Sequence, residues 1–163
     1  MAGWIITLPC RPYVNITTVW NANAYTSIAD AVTNPTAGDG VTILADASDD
    51  SEAQSYGMSS PAAAKYLGKI DQIIVHVYGK KSSAAPQPTV NITVHGVAST
   101  AQNLALNISY AWTTYTFTGN WHRGGSEVGF VLTFTTGTMA SADTVNIDVA
   151  YLILYGYPIP YII

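Results

Sequence analysis

Four carboxylates fall within seven residues in "DASDDSE", Asp46 to Glu52. Hard oxygen ligands at that density are the chemistry of a calcium site. The stretch lacks the central glycine and terminal glutamate of a twelve-residue calcium loop, so Asp46, Asp49, Asp50 and Glu52 read as a solvated acidic loop. The three histidines, His76, His95 and His122, form no motif. His76 and His95 occupy the polar faces of separate strands; as neighbours they would need a carboxylate from elsewhere to hold a transition metal, and solvated strand histidines are the simpler reading. Cys10 is the only cysteine, which excludes an intramolecular disulfide and a site of paired thiolates, and it reads as a small, half-buried hydrophobe. No serine, histidine and aspartate set sits in a nucleophile-elbow context. No glycine loop precedes a helix to cradle phosphate, and no paired carboxylates face each other in apolar surroundings. The expectation is a protein that is not an enzyme, with no catalytic residue, no metal and no cofactor.

One stretch is chemically unusual in another way. "YAWTTYTFTGNW", Tyr110 to Trp121, carries five aromatic residues and no charge. Alternation sends Tyr115 and Phe117 to a buried face and Thr114, Thr116 and Thr118 to the opposite one. Trp112 and Trp121 flank this strand and read as cover for the sandwich edge, the other reading being a stack on a ligand.

The elements that must position these residues are strands. Ile73, Val75 and Val77 share one face of "IDQIIVHVYGKK" and Ile74, His76 and Tyr78 the other; Val90, Ile92 and Val94 point inward from "PTVNITVHG". Strands follow at Leu104, Leu106 and Ile108, at Tyr115 and Phe117, at Val128, Phe130, Leu132 and Phe134, and at Val145, Ile147, Val149, Tyr151 and Ile153. On the opposite face of that last run Asp148 stands with Asn146, Ala150, Leu152 and Leu154, a face wet at one end and covered at the other. The first seventy residues are less regular. "PYVNITTVW", "GVTILAD" and "EAQSYGMS" read as short strands, "NAYTSIADAVTNP" as a short helix or an extended piece, and "SPAAAKYLGK" as a marginal helix capped at Ser60 and ended by Gly68. Short strands with turns every eight to twelve residues predict an all-β fold, an antiparallel two-sheet β-sandwich of jelly-roll type. Apolar, proline-punctuated ends extend from it: an N-terminal arm over 1–12, a sandwich over 13–157 and a tail over 158–163.

Charge narrows the partners. Only 10% of the 163 residues are charged, and the formal net charge is −4. Six scattered Lys and Arg make no phosphate-tracking stripe, which argues against nucleic acid. The N-terminal apolar run is too short for a signal-peptide core or a membrane span. The sequons at Asn15, Asn91 and Asn107 read as polar strand positions, not glycosylation sites.

The succession "YTSIADAVTNPTAGDGVTILAD", "SEAQSYGMSS", "GKIDQIIVHVYGKKSS", "PTVNITVHG", "SYAWTTYTFTGNW" and "NIDVAYLILYGY" resembles the layout of tailed-phage virion structural proteins over residues 25 to 157. The resemblance implies a capsid-decoration or cement protein, assembled into the virion in the host cytoplasm, its partners the major capsid protein or other virion subunits. Residues expected at the partner surface are Trp4, Ile5, Ile6 and Leu8 in the arm and Ile159, Tyr161, Ile162 and Ile163 in the tail, since so many apolar side chains do not stay in water. Low charge and apolar ends also suggest a homo-oligomer, a trimer preferred. Carbohydrate-binding jelly rolls are similar at "AWTTYTFTGNW" and "VNIDVAYL", which gives the alternative: a glycan-binding module or virion adhesin.

Overall fold

The computed structural model describes residues 5–6, 9–20, 26, 28–29, 43–59, 67–122 and 129–158. These form two antiparallel sheets packed as a jelly-roll-like β-sandwich. The first sheet sets β1 (Ile5–Ile6), β11 (Val145–Pro158), β5 (Leu67–Lys81) and β9 (Ala111–His122) side by side, with β3 (Ile43–Ala45) also on β11. The second runs β2 (Pro12–Asn15), β4 (Ala53–Met58), β10 (Phe130–Thr135), β6 (Thr89–Val94) and β7 (Val97–Ala98), with β8 (Gln102–Asn103) also on β6.

The inward sets of β5, β6 and β10 are those the alternation predicts. Ile73, Val75 and Val77 are buried, as are Val90, Ile92 and Val94 and, opposite them, Phe134, Leu132 and Phe130. Leu132 lies between Ile92 and Tyr56, so the second sheet presents a continuous apolar face to the first. Each such side chain contributes about 1.5–3 kcal/mol by leaving water. The outer face of this second sheet is hydroxyl- and amide-rich, with Ser55, Thr133 and Asn91 in one row across three strands.

β11 departs from its predicted alternation. Ile147 pairs with Gly79 and Val149 with Tyr78, so Asp148 is an extra residue in the ladder, a β-bulge. Beyond it the faces exchange: Ala150, Leu152 and Leu154 are buried, while Tyr151 and Ile153 turn outward against His76 and Ile74. Asp148 itself is fully buried.

Several local expectations are corrected. Leu104 and Leu106 are buried, but outside a strand, where the Gln87 amide stands in for a strand partner: Leu106 N–H donates to Gln87 Oε1 at 2.8 Å and Gln87 Nε2 donates to the Leu106 carbonyl at 3.0 Å. Ile108 is exposed. Gly68 lies within β5 rather than ending a helix, and residues 60–66 lie outside the described residues. Asn107 is in a loop, whereas Asn15 and Asn91 are strand residues. The N-terminal segment is not wholly an arm: Ile5 pairs with Gly156 and Ile6 with Tyr155, Cys10 bridges to Leu152, and Pro12 opens a strand of the opposite sheet. The chain crosses between sheets at Cys10 and Arg11, where Ser59 N–H donates to the Arg11 carbonyl at 2.7 Å. The physical reason is edge cover, because the outer flank of β11 would otherwise present unpaired backbone groups.

Candidate functional site

The outer face of the first sheet carries the site. β5 sends His76, Tyr78 and Lys80 outward, β9 sends Trp112, and the Asp148 bulge turns Tyr151 of β11 to the same side. Because β5 lies between the other two strands, residues distant in sequence become neighbours. Tyr78 is directly opposite Trp112, and His76 is directly opposite Tyr151.

The rings form one connected ridge. Tyr110 stacks on Tyr78 at 5.5 Å between centroids, Tyr78 meets Trp112 at 5.4 Å, Trp112 meets Tyr151 edge-on at 5.8 Å, and Tyr151 lies 7° from parallel with His76 at 4.6 Å. These are the offset and edge-to-face separations that aromatic pairs prefer. At one end Lys80 Nζ sits 4.8 Å over the Tyr110 ring, within cation–π range. All five rings are half-buried, and Thr114, Thr116 and Thr118 stand exposed beside them along β9. An apolar ridge beside a row of neutral hydroxyls can hold a ligand that is itself apolar on its flat faces and hydroxylated at its rim.

Burial lowers the pKa of His76 and raises that of Tyr151, so both rings are neutral near pH 7. A histidine whose folded pKa lies below its unfolded value contributes stability that is complete above the unfolded value, near 6.5, and is lost as pH falls below it, since the unfolded chain then binds more protons. The melting temperature of the protein is therefore expected to fall more than that of a His76→Gln variant between about pH 7 and about pH 5.5. Equal slopes in the two proteins would show that the stack does not resist protonation.

Of the residues singled out by sequence, His76 and Trp112 belong to the ridge. Trp4, Leu8, Ile159, Tyr161, Ile162 and Ile163 lie outside the described residues, and Ile5 and Ile6 are in β1. His76 and His95 are not neighbours, being in opposite sheets, with His95 at a left-handed turn position after β6. The acidic stretch is organised around a 3-10 turn at Ala47–Asp49: Ser48 N–H donates to Asp46 Oδ1 at 2.8 Å, Asp46 N–H to Asp49 Oδ2 at 3.0 Å, and Met139 N–H to Asp50 Oδ1 at 3.1 Å. These bonds occupy carboxylate oxygens with backbone donors, and Asp49 is buried rather than solvated. Trp112, on the edge strand β9, is in the middle of the ridge, while Trp121 packs against the core.

No protein-family model and no curated protein sequence matches the chain. Among solved structures it is similar to the CBM36-1 domain of a multidomain xylanase from the hindgut metagenome of Trinervitermes trinervoides, at 14% identity and a TM-score of 0.41, covering 96% of this chain and 100% of that one. It is similar also to a family 35 carbohydrate-binding module from an environmental isolate (9% identity, TM-score 0.45, 93% and 91% covered) and to CBM35 from Cellvibrio japonicus Abf62 (12%, 0.44, 94% of each). At these identities and TM-scores the likeness carries no function over to this chain. The expectation of a phage virion protein of the capsid-decoration kind is corrected by this comparison, which returns carbohydrate-binding modules in its place. That expectation rested on the succession of strand-like segments over residues 25 to 157, an order of alternating strands and turns that antiparallel sandwiches of different function share.

Proposed function

We propose that the chain is a non-catalytic glycan-binding module whose ligand lies on the outer face of the first sheet. The observation that carries this reading is the ridge of Tyr110, Tyr78, Trp112, Tyr151 and His76, held together by ring contacts across three strands. A pyranose presents C–H groups on its faces and hydroxyls around its edge. Aromatic rings supply the apolar contact, and the phenol groups and the threonine row supply neutral donors and acceptors. The face has little charge, Lys80 being at one end, which suits a neutral polysaccharide better than a phosphorylated or sulfated one.

Affinity electrophoresis in gels containing soluble xylan, mannan, galactan or mixed-linkage β-glucan tests this. At least one neutral polysaccharide is expected to retard the protein, and Trp112→Ala or Tyr151→Ala to weaken that retardation about tenfold, the loss of roughly one good ring contact. Unchanged mobility in every gel would sink the proposal. Retardation that both variants retain in full would move the site off this face.

A further inference from the structure

The first sheet has one edge that nothing among the described residues covers. The outer flank of β11 is paired along its length: β3 takes Val145 to Ile147, Ala150 N–H donates to the Ile28 carbonyl at 3.0 Å, Cys10 and Leu152 exchange hydrogen bonds of 2.8 and 3.0 Å, and β1 takes Tyr155 and Gly156. The edges of the second sheet are short, β2 having four residues and opening on Pro12, β7 having two. β9 has twelve, and among the described residues only β5 pairs with it. Its sequence, "AWTTYTFTGNWH", contains no Asp, Glu, Lys, Arg or Pro. Charge, proline and bulges are devices by which edge strands repel other strands; β9 has no charge and no proline, and its bulge at Gly119 and Asn120 leaves Ala111 to Thr118 regular.

The direction of its backbone groups follows from the ladder. Leu152 bonds to Cys10 on the outer flank of β11, so Tyr151 and Ile153 are the residues that bond to β5, at His76 and Ile74. Ile73, Val75 and Val77 then bond toward β9, at Phe117, Tyr115 and Thr113. Lys81 agrees with this alternation, its N–H donating toward the β9 side, to the Asn107 carbonyl at 2.9 Å. The N–H and C=O groups of Trp112, Thr114, Thr116 and Thr118 therefore point away from the sheet.

We propose that this edge docks a second copy of the chain, β9 pairing antiparallel with the same strand of its partner about a two-fold axis at Tyr115. In that register Thr114 opposes Thr116 of the partner subunit and Trp112 opposes Thr118 of the partner subunit. Each outward-facing residue thus meets another of the same set, which allows about eight backbone hydrogen bonds. The axis ends the edge on both molecules, giving a closed dimer rather than a fibre, and a two-fold assembly rather than the trimer that composition suggested. The match stops at Thr118, because Gly119 and Asn120 bulge opposite the β5 irregularity at Asp71. A two-fold axis normal to the sheet keeps both outer faces on one side. The two aromatic ridges then share one surface, and a long polymer touching both gains avidity. The dimer itself does not depend on the glycan reading.

Sedimentation of the full chain in the absence of any glycan tests it. The wild type, 17.3 kDa as a monomer, is expected to sediment as a species of about twice that mass at micromolar concentration. Thr116→Pro removes one outward N–H without touching the bonds to β5 and is expected to give a monomer that still unfolds in one cooperative transition, its melting temperature below that of the wild type by the lost dimer stabilisation. If that variant misfolds, Thr114→Lys/Thr116→Lys gives the same readout by placing like charges across the axis. A Thr114→Cys/Thr116→Cys variant is expected to form a disulfide-linked dimer on oxidation, the opposed Cα atoms being about 5.5 Å apart in a hydrogen-bonded pair. A monomeric wild type, or a wild-type dimer that the proline and lysine variants leave intact, overturns the proposal.

Discussion

Alanine at position 156 is expected to destabilise the protein by about 3 kcal/mol or more, read as a lowered midpoint of urea unfolding. Gly156 pairs with Ile70 just past an irregularity in the β5–β11 ladder, where Asp71 is an extra residue on β5. There the chains come so close that a Cβ on Gly156 would run into the Lys69 carbonyl oxygen and lie 3.1 Å from Ile70 Cα. Those are backbone atoms of a neighbouring strand and cannot swing aside. Relief requires parting the two longest strands of the sandwich near the point where β1 also joins β11. Two control glycines grade the effect. A Cβ on Gly119 would meet the far edge of the Trp121 indole at 2.5 Å, which a side-chain rotation relieves at smaller cost. One on Gly129 meets nothing within 4 Å, so Gly129→Ala is expected to stay within about 0.5 kcal/mol of wild type. A Gly156→Ala variant as stable as Gly129→Ala would show that the close approach is not a constraint.

Strands were legible where their two faces differ in kind. β5, β6 and β10 alternate apolar with polar through their central residues, and period two alone places Ile73, Ile92 and Leu132 inside. β11 was not legible by the same count, because a bulge adds one residue and exchanges the faces beyond it. Asp148, a carboxylate within an apolar run, was the visible sign that something interrupts the alternation there. The aromatic ridge depends on that exchange and on strand order. Tyr78, Trp112 and Tyr151 become neighbours only when β9 and β11 flank β5, and no local pattern states which strands are adjacent. The N-terminal segment misled for a different reason: proline and isoleucine near a chain end look like an arm, whereas Ile5, Ile6 and Cys10 serve as edge cover for β11.

Trp20 and Gln54 are expected to act as one unit, with the second large loss of stability. The indole is 1% exposed, lies 6.3 Å from the Phe134 ring, and donates from Nε1 to the Glu52 carbonyl at 3.3 Å. In the loop that carries it, Thr17 N–H still reaches the Ser55 carbonyl of β4 at 3.3 Å, and beyond that residue bonds of the kind a strand would make come from the buried side chain of Gln54. Its Oε1 accepts from Val19 N–H at 2.9 Å and from Trp20 N–H at 3.3 Å, and its Nε2 donates to the Thr17 carbonyl. Trp20→Ala is expected to cost about 3–5 kcal/mol through the cavity it opens. Gln54→Leu keeps most of the volume but strips three backbone groups of their partner, at about 1–3 kcal/mol for each that stays buried. Once the indole is gone the loop has little reason to remain seated, so its backbone groups reach water and the Gln54 bonds lose their value. The double variant is therefore expected to cost at least about 1 kcal/mol less than the sum of the singles. Strict additivity in urea unfolding of the four proteins would mean that Gln54 fixes the loop independently of the tryptophan it positions.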